Sequence, residues 1–379
     1  MRSLFIAVVL MLAAFGCREH SNAVNRTRND GNVVAKAERF AIEVHDGYSI
    51  VTIINPWQGT SNLNLTYYLV RRGYKAPAGI DSSVIINVPL KKIICMSATH
   101  AAMITALGRE ESVAAVSGKD ILYSAAINER IAQGLVKDVG YEASLNSEMI
   151  VEISPDLVMM YGIGGESAGY AGKLKQLGIK ILFNADYLET DPLGKAEWIK
   201  LFGALFCDET KADSIYSVEK SKYNELRSRI GSQVKSRPNV LLGLPFKDTW
   251  YISPGNSYIS KLINDAGGNY LWHDVESSVS MPYSLESVYL KAGEAEFWLN
   301  SGTASSRREI SAIDRRFTEL PCFKKGNVYN NNKRMTATGG NDYWETGTLY
   351  PHLILADMAE IFHPGILKDH ELFFYQKLK

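Results

Sequence analysis

The chain has 379 residues, 41 Lys and Arg balanced by 41 Asp and Glu, 46% hydrophobic and 22% charged side chains. That balance belongs to a folded, core-forming protein of two to three domains and excludes a disordered chain, a coiled coil or a collagen-like repeat. Zero net charge removes any global attraction to nucleic acid, whose phosphates call for clustered Lys and Arg, and four Cys are too few for a disulfide-stapled scaffold.

Arg2 precedes an apolar run at 4–15, LFIAVVLMLAAF. Twelve residues are too few for a bilayer-spanning helix, which needs about 20, and fit the core of an export signal. Gly16 and Cys17 follow, then polar Arg18, Glu19 and His20. A small residue before Cys at the end of such a run resembles a bacterial lipoprotein signal, in which 1–16 is removed and Cys17 becomes the lipidated N-terminus. Ala14 and Phe15 depart from the commonest form of that signal, and an ordinary signal peptide with a chance Cys is the alternative. Residues 17–36 are polar and read as a flexible tether. Cys95, Cys207 and Cys322 lie far apart in apolar settings and read as core residues.

Short alternating or β-branched runs at 40–44, 48–54, 64–70 and 84–88 predict a strand-rich start over 37–90. From Lys91 the pattern becomes strand–helix–strand. A buried strand at 91–96 leads into a helix capped by Ser97 or Thr99 and stopped by Gly108, with further strands at 113–116, 157–160 and 180–183 and helices at 147–153 and 171–177. The helix-compatible stretch 192–236 breaks this rhythm; Asp208, Glu209 and Thr210 mark a cap within it. The rhythm resumes with strands at 239–244, 249–252, 296–299 and 327–329 and helices at 258–266, 285–290 and 349–362. The expected organisation is an α/β lobe at 37–191, a helical connection at 192–236 and a second α/β lobe at 237–379, each lobe with a mainly parallel sheet.

Three segments carry a family resemblance: KKIICMSATHAAMITALG at 91–108, LNSEMIVEISPDLVMM at 145–160 and SPGNSYISKLINDAGG at 253–268. With the lipoprotein-type signal and the helical spacer, their order resembles the metal-chelate class of ABC-transporter substrate-binding proteins, over about residues 91–362. The resemblance implies two α/β lobes joined by one long helix, a ligand cleft between them, and a cargo of ferric siderophore, haem or cobalamin. It further implies a monomer on the periplasmic side of a bacterial membrane, held there by Cys17, with no resident cofactor, no catalytic residues and a permease dimer as partner. In that class one Glu on each lobe meets an Arg of the permease; Glu148 and Glu286 stand at the matching places. Without the resemblance, both read as acids favoured by a helix N-terminus.

A cleft for a bulky chelate calls for aromatic faces and a few orienting polar groups. The candidates are Thr99, His100, Tyr161, Gly162 and Gly165 in the first lobe, and Trp250, Tyr251, Trp272, His273 and Tyr283 in the second. Asn341, Asp342, Tyr343 and Trp344 follow in a Gly-opened stretch read as an exposed loop. Imidazole suits iron or cobalt, so His100 is a candidate metal ligand or else a loop residue. His352 and His363, at the last helix, read as structural, and Trp198 and Trp298 as core. No Arg falls at the expected strand ends, although Arg307, Arg308 and Arg334 are near in sequence, which favours a neutral corrinoid over an anionic catecholate. Two other readings stay open: a surface lipoprotein without an importer, and a cleft enzyme. No GxSxG, HExxH or Walker loop supports the latter, and Gly162-Ile163-Gly164-Gly165 is a faint nucleotide-loop echo lacking the phosphate-gripping Lys.

Overall fold

The computed structural model describes residues 32–141, 144–162 and 165–379. The signal, Cys17, most of the tether and half of the Gly162–Gly165 stretch lie outside the described residues.

The strand-rich start forms a four-stranded sheet. β1 (Phe40–His45), β2 (Tyr48–Ile54) and β3 (Asn64–Arg71) are antiparallel, and β4 (Ile85–Val88) runs parallel to β3. Alternation sends Phe40, Ile42, Val51, Ile53, Tyr67 and Leu69 to one face, where they share a core with Trp198, Phe202 and Leu205. Phe40 packs on Trp198 with ring centroids 4.4 Å apart. This sheet is therefore built into the first lobe's core.

The first lobe follows: β5 (Ile93–Cys95), α1 (Ala98–Ala106), β6 (Val113–Val116), α2 (Ala125–Ala132), β7 (Lys137–Asp138), α3 (Ser147–Ile153), β8 (Leu157–Met160), α4 (Gly165–Gln176) and β9 (Ile181–Phe183). The strands are all parallel, in the order β7-β6-β5-β8-β9. Chain order reverses across β5, which opens a crevice at its C-terminal end. Ser97 caps α1 by accepting the Thr99 N–H, and Gly108, at φ +65°, ends its last turn. The sequence pattern missed α2, which is short and buries only Ile127, and β7, a polar pair of residues.

The connection is three helices: α5 (Pro192–Glu197), α6 (Ile199–Phe206) and α7 (Glu209–Gln233). Asp208 does not cap α7 through its side chain. Its carboxylate instead takes a two-pronged bond from Arg109, at 2.6 and 2.9 Å. α7 has 25 residues and is about 37 Å long. Its Ala212 and Tyr216 enter the first lobe's core, and its Tyr223 and Ile230 the second's.

The second lobe comprises β10 (Asn239–Leu242), β11 (Thr249–Ile252), α8 (Tyr258–Asp265), β12 (Asn269–Tyr270), β13 (Met281–Ser284), α9 (Leu285–Ala292), β14 (Phe297–Leu299), α10 (Arg307–Ile313), α11 (Pro321–Lys324), β15 (Tyr329–Asn330), α12 (Asp342–Glu345), α13 (Pro351–Phe362) and β16 (Gln376–Lys377). A parallel sheet, β12-β10-β14, lies beside the antiparallel pairs β11/β13 and β15/β16. Trp250, Trp298 and Phe317 form an aromatic centre with centroids 5.4–5.9 Å apart. The two lobes thus match the expected α/β architecture with mainly parallel sheets and a long helix between them.

Two buried carboxylates fix the segment that leads into β1. Glu197 accepts the N–H groups of Ala35, Lys36 and Ala37 at 2.6–3.0 Å and pairs with Lys200 at 2.9 Å. Glu189 accepts the N–H groups of Glu38 and Arg39 and the Trp198 indole. The stretch read as tether is therefore pinned from Ala35 onward. Glu197→Ala would strand three N–H donors and a lysine at a buried site and is expected to cost about 3 kcal/mol or more. Denaturant unfolding measures the loss, and hydrogen exchange at 35–37 should rise well beyond the global change.

Candidate functional site

The βα loops of the first lobe converge on one wall. Met96, Ser97 and Thr99 follow β5, Ile121 follows β6, Tyr141 follows β7, Tyr161 follows β8, and Tyr187 to Thr190 follow β9. Facing them are Ser253 to Ile259 at the start of α8, Ser277 to Ser280 before β13, and Trp344. Glu38, Arg39, Gln58 and Lys195 also reach this space. The cleft is open on one side and measures about 830 Å³, within the range of small-molecule sites.

Of the residues proposed from sequence, Thr99, Tyr161 and Trp344 line this cleft. Trp344 is 56% exposed and stands edge-on to Tyr343 at 4.7 Å, leaving a large aromatic face for a ligand.

The others lie elsewhere. His100 is fully buried on the inner face of α1, its ring 6.2 Å from that of Phe202, and burial drives its pKa down to about 3, against a weaker opposing pull from the Met159 backbone. It is a neutral core residue outside the cleft. Gly162 makes a close approach: a Cβ there would meet Trp57 at 2.9 Å, and its carbonyl accepts a bond from the Tyr187 hydroxyl. Gly165 begins α4. On β11 the strand alternation turns Trp250 into the core, bonded to the Leu242 carbonyl at 2.9 Å, and Tyr251 out to solvent at 56% exposure. The cleft is built by the residues that follow, not by β11. Trp272 is buried between Tyr270 and Tyr283 with Lys291 over its ring, and half-buried Tyr283 stands edge-on to it. His273 bonds the Tyr270 carbonyl. His352 bonds Glu219, and His363 the Gly267 carbonyl.

The stretch read as an exposed loop is a helix, and much of it is buried. Asn341 caps α12 by accepting the Tyr343 N–H; Asp342 is held by Arg334 at 2.6 Å and by Thr346; Tyr343 packs against Phe374 and Tyr375. The next residue, Glu345, is fully buried and accepts the N–H groups of Tyr123 and Ser124, at 2.6 and 2.8 Å. Gly340 lies where a Cβ would meet the Leu122 carbonyl at 2.2 Å, so only glycine permits this approach. Segments 340–345 and 122–124 thus form a strap beside the cleft, separate from α7.

Electrostatics at the cleft differ from the sequence expectation. Arg39 borders it, and so does Lys195, whose ammonium lies 5.1 Å from the centre of the Tyr258 ring. Their elements precede or follow the strand ends searched for Arg, so the argument for a neutral ligand loses its premise. Buried Asp186 lies behind Thr99; burial raises its pKa and Lys195 draws it back. Glu189 is raised to about 7, first by burial, with the N–H groups of Glu38 and Arg39 and the Trp198 indole opposing.

Residues 93–334 match the family model for the periplasmic binding proteins. This chain belongs to that family. It is 29% identical over 308 residues to an uncharacterized lipoprotein of Methanocaldococcus jannaschii, covering 78% of this chain and 71% of the relative. A periplasmic heme-binding protein from Pseudomonas aeruginosa shares the fold with a TM-score of 0.59 at 14% identity, over 76% of this chain and 98% of that one. The periplasmic vitamin B12-binding protein of Vibrio cholerae follows at TM-score 0.51 and 17% identity, over 72% and 97%. The family and the fold are those of the binding proteins of transporters. β1 to β4 and the segment bearing Arg39 precede the matched region.

Sequence reasoning missed Tyr141, Tyr187, Lys195, Tyr258 and Arg39. Applying the strand-end rule to every βα loop finds the first two, and the quoted segment at 253–268 already contained Tyr258. Arg39 and Lys195 carry no local signal.

The strap gives a pH prediction. Burial raises the Glu345 pKa from its ordinary 4.5 to about 7, outweighing the two N–H bonds that lower it. An acid raised on folding contributes stability that is full below pH 4.5 and is lost as pH rises through 7. Glu345→Gln copies the protonated carboxyl, so its stability should fall less over that window than the wild type's. Paired denaturant titrations from pH 4.5 to 8 measure the difference; parallel curves would contradict it.

Proposed function

We propose that this periplasmic binding protein captures a metal chelate (a ferric siderophore, haem or a corrinoid) and delivers it to the permease of an ABC importer, as a lipoprotein held at Cys17. The observation that carries the reading is the cleft of about 830 Å³ at the C-terminal ends of the parallel strands, bordered by Tyr141, Tyr161, Tyr187, Tyr258 and Trp344. Flat aromatic faces match a macrocycle or catechol rings, and hydroxyls of Ser97, Thr99, Ser253 and Ser257 supply orienting groups. The solved structures it resembles include proteins described as heme-binding and vitamin B12-binding. Purification of the native chain, followed by an absorbance spectrum and metal analysis, tests the cargo: a Soret band, a corrin spectrum or a charge-transfer band with iron is the expected result, and a metal-free, colourless small molecule would contradict it.

Permease docking falls to Glu148 and Glu286. Both are exposed acids in the first turn of a helix, α3 and α9, capped by Asn146 and Ser284. α3 leads into β8, which pairs with β5; α9 leads into β14, which pairs with β10. The two acids therefore hold equivalent positions in the two lobes, as a two-fold partner presenting two Arg forks requires. Glu148→Ala with Glu286→Ala is expected to abolish uptake of the chelate by cells while leaving ligand affinity unchanged. Uptake at the wild-type rate would remove this assignment.

A further inference from the structure

We propose that a cavity across the Glu345 strap from the cleft is a second small-molecule site, which takes a ring-bearing compound with one carboxylate. The two cavities share no lining residue, so this site is independent of the cargo reading.

The strap stands between two spaces. Ile121 and Trp344 border the cleft, whereas Tyr123, Ser124 and Glu345 border a second cavity of about 730 Å³, open to solvent. That volume also falls in the range of small-molecule sites. Helix α1 divides in the same way. Thr99, in its first turn, reaches the cleft, and Ala102, Thr105 and Ala106, on one helical face, border the second cavity. The connecting helix α7 adds Lys222, and α13 adds Leu353. Both lobes and the helix between them therefore supply walls.

The lining suits an amphipathic occupant. Ala102, Ala106, Ala126 and Leu353 offer apolar contact, and Tyr123, Tyr350 and Phe373 offer rings. The Arg334 guanidinium stacks among them, its carbon 4.3 Å from the centre of the Phe373 ring and 5.2 Å from that of Tyr123. Its Nε donates to Asp342, and its side chain stays 35% exposed. The acids at the cavity are already engaged. Asp342 is taken by Arg334 and Thr346, and Glu345 by the Tyr123 and Ser124 N–H groups. Lys222 is exposed and, among the described residues, pairs with no acid. The donors left open are thus the Lys222 ammonium and the Nη groups of Arg334. Methyls and rings select an apolar body, and these donors select a carboxylate on it.

The test uses the full-length chain purified in detergent and calorimetric titration with matched detergent in cell and syringe. The probes are 2-naphthoate, indole-3-acetate and biphenyl-4-carboxylate, each beside its uncharged primary amide. At least one carboxylate should bind saturably, one per chain, and its amide about tenfold more weakly. Lys222→Ala should weaken the carboxylate by about three- to tenfold and leave the amide unchanged. Ala106→Phe puts a ring into the cavity and should abolish binding of both, whereas Tyr141→Ala, at the cleft, should alter neither. Four results each overturn the proposal: no saturable binding of any carboxylate, amides that bind as tightly as the acids, unchanged carboxylate affinity in Lys222→Ala, or a loss that follows Tyr141→Ala and spares Ala106→Phe. Lys222 is exposed, so its variant decides the matter even where Ala106→Phe does not fold.

Discussion

Buried carboxylates that gather backbone N–H groups are the constraint on which the rest of this fold depends. Glu197 holds 35–37, Glu189 holds 38–39, Glu345 holds 123–124, and Asp357 holds the N–H groups of Phe373, Phe374 and Tyr375 together with His370. Each of the gripped stretches crosses the body where no strand or helix partner satisfies its backbone donors. A buried N–H without an acceptor costs about 1–3 kcal/mol, and a buried carboxylate without donors costs more. Brought together, the two deficits offset each other in part, and what remains shows in the raised pKa of Glu189 and Glu345. The chain can therefore lay irregular segments against its core and still hold their backbone to within hydrogen-bond tolerance.

This device complements the long helix. α7 lends its first half to one lobe's core and its second half to the other's, so neither lobe can tilt without disturbing packed side chains on the helix. Midway, buried Glu219 takes both the backbone N–H and the imidazole of His352, tying the spine to the start of α13. The Glu345 strap adds a connection on another side of the cleft. A cleft framed in this way is largely formed before ligand arrives, and preorganisation of that kind lowers the ordering cost of binding.

Much of the fold was legible because hydrophobic periodicity reports burial directly. β2, β8, α3 and the α7 region read plainly from alternation or helical spacing, and the order of three segments pointed to the two-lobe architecture. The site was less legible. Trp250, Trp272 and Tyr343 were candidates because aromatic residues serve clefts and cores alike, and sequence alone does not say which side of a strand faces in. Trp250 and Tyr251 are neighbours with opposite fates for that reason alone. The 339–345 stretch looked like a loop because it opens on glycine, is aromatic and lacks an obvious helical pattern, but burial of Asp342 and Glu345 depends on Arg334 and on backbone 221 and 222 residues away in sequence. Carboxylate staples leave no local mark, since a buried Glu in a helix reads like any surface acid.

The same gap explains why composition says little about what a ligand meets. Forty-one cations against forty-one anions average to zero, yet charge acts over about 8 Å at physiological ionic strength. What a ligand meets is the handful of groups at the cleft wall. There Glu189 spends its carboxylate on backbone donors and the Trp198 indole, while Glu38 and Arg39, from the segment ahead of β1, border the cleft together with Lys195. One carboxylate thus performs two tasks: it closes the fold where the tether ends, and it fixes the backbone of two residues that border the cleft. Stability and the shape of the cleft wall meet in a single set of hydrogen bonds, supplied by a segment that precedes the family's shared core.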